Sequence, residues 1–164
     1  MSRTRTAVVI TASNRASQGI YADRSGDILV EGLIRLGYIT QSAKVVPDIV
    51  SEISDAIQQG IDAGADLIVT TGGTGVSPTD VTPEATAPLI KKPIPGFAEA
   101  LRAYGREKIA TADLSRGLVG LHEKSLIINL PGSPGGVKDG LVIIERLAPH
   151  VHDQVEGHDH NTHN

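Results

Sequence analysis

The sequence contains no cysteine and no tryptophan, and it has one phenylalanine and three tyrosines among 164 residues. Without cysteine there can be no disulfide, no thiolate zinc site and no cysteine nucleophile, as is common in a reducing cytoplasm. Any bound metal must therefore be held by oxygen or imidazole. With so few aromatic rings, stacking of bases on aromatic side chains is a poor expectation, so a bound nucleotide should be held through its phosphates.

Strong charge and long apolar runs are also missing. The net charge is −4 and 21% of residues are charged, which gives no electrostatic case for binding nucleic acid. No segment approaches the length of a membrane span. The apolar stretch after Arg3 and Arg5 is too short for a signal peptide. We therefore expect one cytoplasmic domain with neither nucleic acid nor a membrane as partner.

Four apolar runs predict strands, and three of them are unbroken, which is typical of strands covered on both faces in a mostly parallel sheet. The runs are 6–12, 38–46, 66–71 and 125–130. Between them, apolar residues at helical spacing predict helices. These helices cover residues 28–36, 49–61, 97–110 and 137–151. The alternation predicts an α/β fold, a three-layer α/β/α sandwich with a mostly parallel sheet.

Two further segments are less regular. Five prolines between Pro78 and Pro95 predict a short broken helix over 83–90 and then a turn. Residues 112–125 are either irregular or contain a short hairpin strand. We expect the domain to cover residues 1–151 and residues 152–164 to form a disordered tail. Five of the six histidines lie in the last 15 residues, where they either bind a metal weakly or are simply solvated.

Ligands of open α/β sheets bind beyond the carboxyl ends of the strands, and the sequence TGGTG at 71–75 follows the third predicted strand there. Its glycines allow backbone N–H groups to turn inward as an anion-binding nest. The alternative is a plain glycine turn between strand and helix. Neither a Walker motif nor a complete dinucleotide fingerprint is present.

Two predicted helix starts offer further anion sites. Thr82 is expected at an N-cap with Pro83 at the first helical position and Glu84 in the first turn, and Ser133 with Pro134 repeats the pattern. The N-terminus of a helix attracts anions through its free N–H groups and dipole. Simple capping is the alternative explanation for both.

An aspartate beside such a loop needs a cation. At about 4 Å from a phosphate, Asp80 would be repelled by about 1 kcal/mol in water and about 4 kcal/mol at an effective dielectric constant of 20. Mg²⁺ reverses the sign, since it binds carboxylate and phosphate oxygens together. If the second predicted strand neighbours the third, Asp48 and Asp80 converge as a metal site. The alternatives are that Asp80 caps a turn and that Asp48 caps the helix beginning at Ile49.

The sequences TTGGTGVSPTDVTPEA and INLPGSPGG, together with SNRAS, DRSG, VPD and LSRGLVG, resemble the molybdopterin-binding Mog/MoaB family, which includes the G domain of gephyrin-type proteins. The resemblance spans residues 5–148. It implies a homotrimer in molybdenum cofactor biosynthesis that transfers an adenylyl group from Mg-ATP to the phosphate of molybdopterin, releasing pyrophosphate. The resemblance also implies other cofactor-assembly proteins as partners. The alternative is a non-catalytic molybdopterin-binding or scaffold protein of the MoaB type.

The resemblance also implies roles for individual residues. Asp48 and Asp80 look like the catalytic, metal-associated carboxylates of active members. Ser13, Asn14 and Gly26 match nucleotide-binding positions. The positions assigned to molybdopterin are Thr71, Gly72, Gly73, Thr74, Gly75, Thr82, Glu84, Ser115, Pro131, Gly132 and Ser133.

Overall fold

The computed structural model describes residues 3–158, and seven strands in this part of the chain form one sheet. The strands are β1 (Thr6–Ala12), β2 (Ile39–Thr40), β3 (Lys44–Val46), β4 (Leu67–Thr71), β5 (Lys92–Pro93), β6 (Val119–His122) and β7 (Ser125–Leu130). The α-helices are α1 (Asn14–Ser17), α2 (Arg24–Arg35), α3 (Val50–Asp62), α4 (Thr82–Thr86), α5 (Pro95–Arg106) and α6 (Pro134–Val155). Short 3₁₀ helices cover Ala87–Leu89 and Ala110–Leu114.

The sheet is mostly parallel, as predicted. Its order is β2-β1-β4-β7-β6-β5, and β3 pairs with the end of β1. Strands β1, β4 and β7 run parallel, whereas β6 and β5 form an antiparallel edge. Thr71 pairs with Thr11 on one side and Leu130 on the other, so the loops after these three strands leave the sheet at the same level.

Helices cover both faces of the sheet, which confirms the three-layer α/β/α sandwich. One face packs against α2, α5 and α6 in an aliphatic core that includes Val69 and Ile128. The opposite face packs against α3 and α4 through residues such as Ile68 and Ile127. Neighbouring residues along a strand point to opposite faces of the sheet. A strand with apolar residues on both faces therefore contributes to both cores. None of the helices in residues 3–158 is both long enough and apolar enough to cross a membrane.

The structure defines three of the predicted segments more closely. The strand predicted over 38–46 is two short strands, because β2 pairs with the start of β1 and β3 with its end. Residues 112–125 contain β6, which forms a hairpin with β7, so the hairpin alternative is confirmed. The turn predicted after residue 90 contains β5, whose proline is tolerated at the sheet edge.

The last helix continues beyond residue 151, where we expected the domain to end. Helix α6 continues to Val155. The side chain of His152 is only 3% exposed, and its Nε2 lies 2.8 Å from the hydroxyl of Tyr38. Residues 152–155 are therefore part of α6. Residues 159–164 of the predicted tail lie outside the described residues.

Candidate functional site

Three loops meet at the carboxyl ends of β1, β4 and β7, and their backbones touch. Gly72 follows β4 with φ +96°, and its N–H donates to the carbonyl of Leu130 at 3.0 Å. A Cβ at Gly72 would lie 2.3 Å from the carbonyl oxygen of Ala12. A Cβ at Gly132 would lie 3.1 Å from the Cα of Gly72. Glycine is therefore required for both the backbone conformation and the close approach.

Two adjacent cavities open at this junction. The larger, about 830 Å³, extends towards α5 and the start of α6. The smaller, about 470 Å³, lies beside the loop after β1 and the start of α2. Both are lined by Gly73, Asp80 and Gly132. Two molecules bound in these cavities can therefore meet along a common wall.

The larger cavity has a helix start on its wall. Ser133 is the N-cap of α6, and its hydroxyl oxygen accepts from the N–H of Gly136 at 3.1 Å. Its predicted capping role is confirmed. Because α6 is 22 residues long, its first turn presents N–H groups and the positive end of a long helix dipole to the cavity.

Thr82 does not cap α4 as predicted. The N-cap is Val81, and its side chain makes no capping hydrogen bond. Thr82 is fully buried, and its hydroxyl donates to the carbonyl of Gly72 at 2.9 Å. The loop after β4 turns back over the first turn of α4. The Thr82 hydroxyl therefore holds the start of this loop, at Gly72, instead of capping the helix.

Asp48 is held by the loop after β1. Its Oδ2 accepts from the N–H of Asn14 at 3.1 Å, and its own N–H donates to Asn14 Oδ1 at 2.8 Å. Helix α3 begins at Val50 without a side-chain cap, so the capping alternative for Asp48 is wrong. Burial raises the pKa of Asp48, the Asn14 hydrogen bond lowers it, and the charge of Asp80 raises it again.

Asp80 closes a turn in the loop after β4. Its Oδ2 accepts from the N–H of Ser77 at 3.0 Å and from the Ser77 hydroxyl at 2.9 Å. The turn alternative is therefore present, although the turn precedes Asp80 instead of following it. A Cβ at Gly75 would lie 2.7 Å from Asp80 Oδ2, so the glycine leaves room for this carboxylate.

The two carboxylates share the smaller cavity. The condition set for their convergence, that the two strands be neighbours, is not met, because β1 lies between β3 and β4. They converge nevertheless, since the loops after β3 and β4 both turn over the end of β1. A pair of carboxylates fits Mg²⁺, which binds one or two protein carboxylates together with phosphate oxygens and water. No group of three or more His, Asp or Glu suited to a metal occurs within residues 3–158.

Most of the other predicted site residues line a cavity. The larger one contains Thr74, Gly75, Ser115 and Pro131. The smaller one contains Ser13, Thr71 and Gly72. The hydroxyl of Thr71 donates to the carbonyl of Pro131 at 2.8 Å, which ties the loop after β4 to the loop after β7.

Four predicted positions line neither cavity: Asn14, Gly26, Thr82 and Glu84. Asn14 and Thr82 hold other parts of the site, as described above. Gly26 packs so closely that a Cβ there would lie 2.1 Å from Asp23 Oδ2. The carboxylate of Glu84 forms an ion pair with Arg116. These residues therefore support the cavity walls in this structure.

Sequence reasoning missed several polar residues of the site. Asp23 caps α2 and accepts from the hydroxyl of Thr11 at 2.7 Å, and Ser25 donates to the carbonyl of Gly132 at 2.7 Å. Arg116 donates a hydrogen bond to the carbonyl of Gly75 in the loop after β4. Each lies in a quoted motif, DRSG or LSRGLVG, and the N-cap spacing from Asp23 to Gly26 was the signal available for the first.

Known proteins resemble this chain in both sequence and fold. Residues 8–150 match the family described as "Probable molybdopterin binding domain". A molybdopterin adenylyltransferase of Helicobacter pylori is 39% identical over 154 residues, covering 91% of this chain and 86% of the relative. The Mog protein structure from Mycobacterium ulcerans superimposes with TM-score 0.87 at 46% identity, covering 92% of this chain and 99% of that one. The tungsten cofactor synthesizing protein MoaB from Pyrococcus furiosus gives TM-score 0.86 at 35% identity, with 94% and 99% covered.

Proposed function

The chain belongs to the family of molybdopterin-binding domains, and from this premise we propose that it is a molybdopterin adenylyltransferase of molybdenum cofactor biosynthesis. The observation that carries the proposal is the wall shared by the two cavities, where Gly73, Asp80 and Gly132 face both. A transfer between two bound molecules needs such a boundary, whereas binding of the pterin alone needs one cavity.

The two cavities differ in ways that suit the two substrates. We assign molybdopterin to the larger cavity, where the TGGTG backbone and the start of α6 at Ser133 offer N–H groups to its phosphate. We assign ATP to the smaller cavity beside Ser13 and Asp48. The phosphate oxygen of molybdopterin then forms a bond to the α-phosphorus of ATP. The bond from that phosphorus to the bridging oxygen of the leaving group breaks, and pyrophosphate departs.

The chain's own contribution is positioning and charge stabilisation, which transfers at phosphorus chiefly require. The backbone N–H groups of the loop orient the attacking phosphate. Asp48 and Asp80 would hold Mg²⁺, which when bound neutralises charge on the phosphates of ATP. No covalent bond to the protein is needed, and no residue has to act as a strong base.

We further propose that the protein acts in the cytoplasm as a homotrimer and that it meets other cofactor-assembly proteins there. The absence of cysteine supports the compartment, and the resemblance to the Mog/MoaB family supports the trimer. Sedimentation at several protein concentrations tests the oligomer: a mass of three chains is expected, and a monomer at all concentrations would contradict it.

A pyrophosphate-release assay tests the activity. Wild-type protein with molybdopterin, Mg²⁺ and ATP should release pyrophosphate, and Asp80→Asn should lower the rate by about 100-fold or more, the scale seen when one preorganised electrostatic group is lost. Binding of molybdopterin to Asp80→Asn should persist. The matched control is Asp62→Asn, which changes an exposed carboxylate on α3. Wild-type protein that binds molybdopterin yet releases no pyrophosphate would support the non-catalytic alternative.

A further inference from the structure

Arg116 contacts three backbone carbonyls of one loop. Its N–H donates to the carbonyl of Thr74 at 2.8 Å. Its side-chain Nε donates to the carbonyl of Gly75 at 2.8 Å, and Nη2 donates to the carbonyl of Asp80 at 2.9 Å. The guanidinium thus joins the two ends of the segment 75–80 from outside the loop.

Glu84 fixes the orientation of this guanidinium. Its carboxylate accepts from both terminal nitrogens of Arg116, with Nη2 to Oε2 at 3.5 Å. Because the guanidinium group is planar, these two hydrogen bonds to Glu84 leave Nε and Nη2 directed at the two loop carbonyls. Loss of the Arg116 guanidinium would remove several directed hydrogen bonds at once. A lysine at this position could replace only some of them.

The rest of the loop has little to hold it. Val76 is 69% exposed, and the next three residues are exposed as well. Within the segment, the N–H of Asp80 donates to the carbonyl of Ser77 at 3.0 Å, and the Asp80 carboxylate binds back to Ser77. These bonds fix Asp80 relative to the turn but do not fix the turn relative to the cavities.

Different residues anchor the base of the loop after β4, which is Gly72 and Gly73, and its outer part, from Gly75 to Asp80. Thr82 holds the base, through its N–H to the carbonyl of Gly73 at 3.0 Å and its hydroxyl to Gly72. Arg116 holds the outer part, which carries Asp80 at the boundary of the two cavities. The place of the Asp80 carboxylate therefore depends on both anchors.

We propose that Arg116 is a positioning residue that sets the Asp80 carboxylate at the boundary between the two cavities. The side-chain nitrogens of Arg116 are directed to loop carbonyls and to Glu84, so the residue acts through Asp80 and not on the substrates. The catalytic consequence rests on the adenylyltransferase proposal. The effect on the loop does not depend on it.

The test compares Arg116→Gln and Arg116→Lys with wild type. The matched control is Arg106→Gln, which removes an exposed arginine whose Nε lies 2.8 Å from Asp113. The first readout is the Mg²⁺ concentration giving half the maximal rate of pyrophosphate release, measured together with the KM for molybdopterin. The second is hydrogen exchange of the backbone amides in 75–81, which needs no activity.

We expect Arg116→Gln to raise the half-maximal Mg²⁺ concentration by about tenfold or more, the scale of one lost hydrogen bond from a charged donor. The KM for molybdopterin should stay within about twofold, and exchange in 75–81 should be faster by about tenfold. Arg116→Lys should fall between Arg116→Gln and wild type in both readouts. Arg106→Gln should match wild type.

Two results would overturn the proposal. One is exchange of 75–81 at the wild-type rate in both Arg116 variants. The other is a raised KM for molybdopterin with an unchanged Mg²⁺ requirement, which would mean that Arg116 binds the pterin directly. If wild-type protein releases no pyrophosphate, the adenylyltransferase proposal fails, and the exchange rates of both variants still decide the role of Arg116. If Arg116→Gln does not fold, Arg116→Lys carries the same comparison.

Discussion

Replacing Gly72 by alanine should weaken the fold more than the same change at another glycine with the same backbone conformation. Gly72 and Gly37 both have φ +96°. A Cβ at Gly72 would lie 2.3 Å from the carbonyl oxygen of Ala12. At Gly37, apart from its neighbours in the chain, no atom of residues 3–158 lies within 4 Å of the added Cβ. The pair therefore separates the cost of the conformation from the cost of the clash.

The magnitudes follow from these two terms. A left-handed conformation costs an alanine about 1–2 kcal/mol, and the reduced freedom of the unfolded chain offsets about 0.4–1 kcal/mol of that. We therefore expect Gly37→Ala to lower the free energy of unfolding by about 1 kcal/mol. Overpacking against a backbone atom adds about 1–3 kcal/mol. Gly72→Ala should accordingly lose about 2–4 kcal/mol.

Urea unfolding followed by circular dichroism measures both variants, at one protein concentration because association would shift the midpoint. Equal losses at Gly72 and Gly37 would refute the argument that the loops after β1 and β4 are in backbone contact. A loss at Gly72 smaller than at Gly37 would refute it more strongly.

Three further changes have defined outcomes. Burial and the charge of Asp80 raise the pKa of Asp48, so the Asp48 carboxyl binds a proton more tightly in the folded state than in the unfolded state. The free energy of unfolding therefore falls as the pH rises through the pKa of this carboxyl. Asp48→Asn should unfold at a higher temperature than wild type at neutral pH, and the difference should vanish at low pH. Burial and the charge of Arg5 lower the pKa of His152 from 6.5. The unfolded state therefore binds a proton at this residue more readily than the folded state, and the free energy of unfolding should fall as the pH drops below about 6.5. His152→Gln should lose less melting temperature than wild type over the same drop in pH. Ser133→Ala should lower the free energy of unfolding by about 1 kcal/mol through loss of the α6 cap, measured in urea.

Each of these has a contrary result. A lower melting temperature for Asp48→Asn at neutral pH would mean that the carboxylate stabilises the fold. An unchanged acid response in His152→Gln would assign the response to other groups. Full stability in Ser133→Ala would mean that the observed cap contributes little.

The sequence predicted the parts of the fold that depend on burial. Strands β1, β4 and β7 match their predicted positions closely because their apolar residues are buried on both faces. The segment 38–46 was harder, since polar residues Gln41 and Ser42 interrupt it and the pairing partner decides where each strand ends. The end of α6 was missed because His152 is polar, whereas in the structure it is buried and hydrogen-bonded to Tyr38.

The site was predictable by residue type but not by geometry. TGGTG, Asp80 and Ser133 follow predicted strands, and the rule that ligands bind at the carboxyl edge places them together. The order of the strands could not be read from the sequence, so the convergence of Asp48 and Asp80 could be stated only as conditional on neighbouring strands. Arg116 was overlooked because its role depends on contacts to backbone carbonyls, which leave no pattern of residue types.

Transfer of a radioactive label tests the central claim most directly. Wild-type protein is incubated with molybdopterin, Mg²⁺ and ATP labelled at the α-phosphate, and the products are separated. We predict that the label appears on the pterin, with an equal amount of pyrophosphate released, and that Asp80→Asn forms both products at least about 100-fold more slowly. Label that remains entirely in ATP or appears only as free AMP, while the protein binds molybdopterin, would contradict the account.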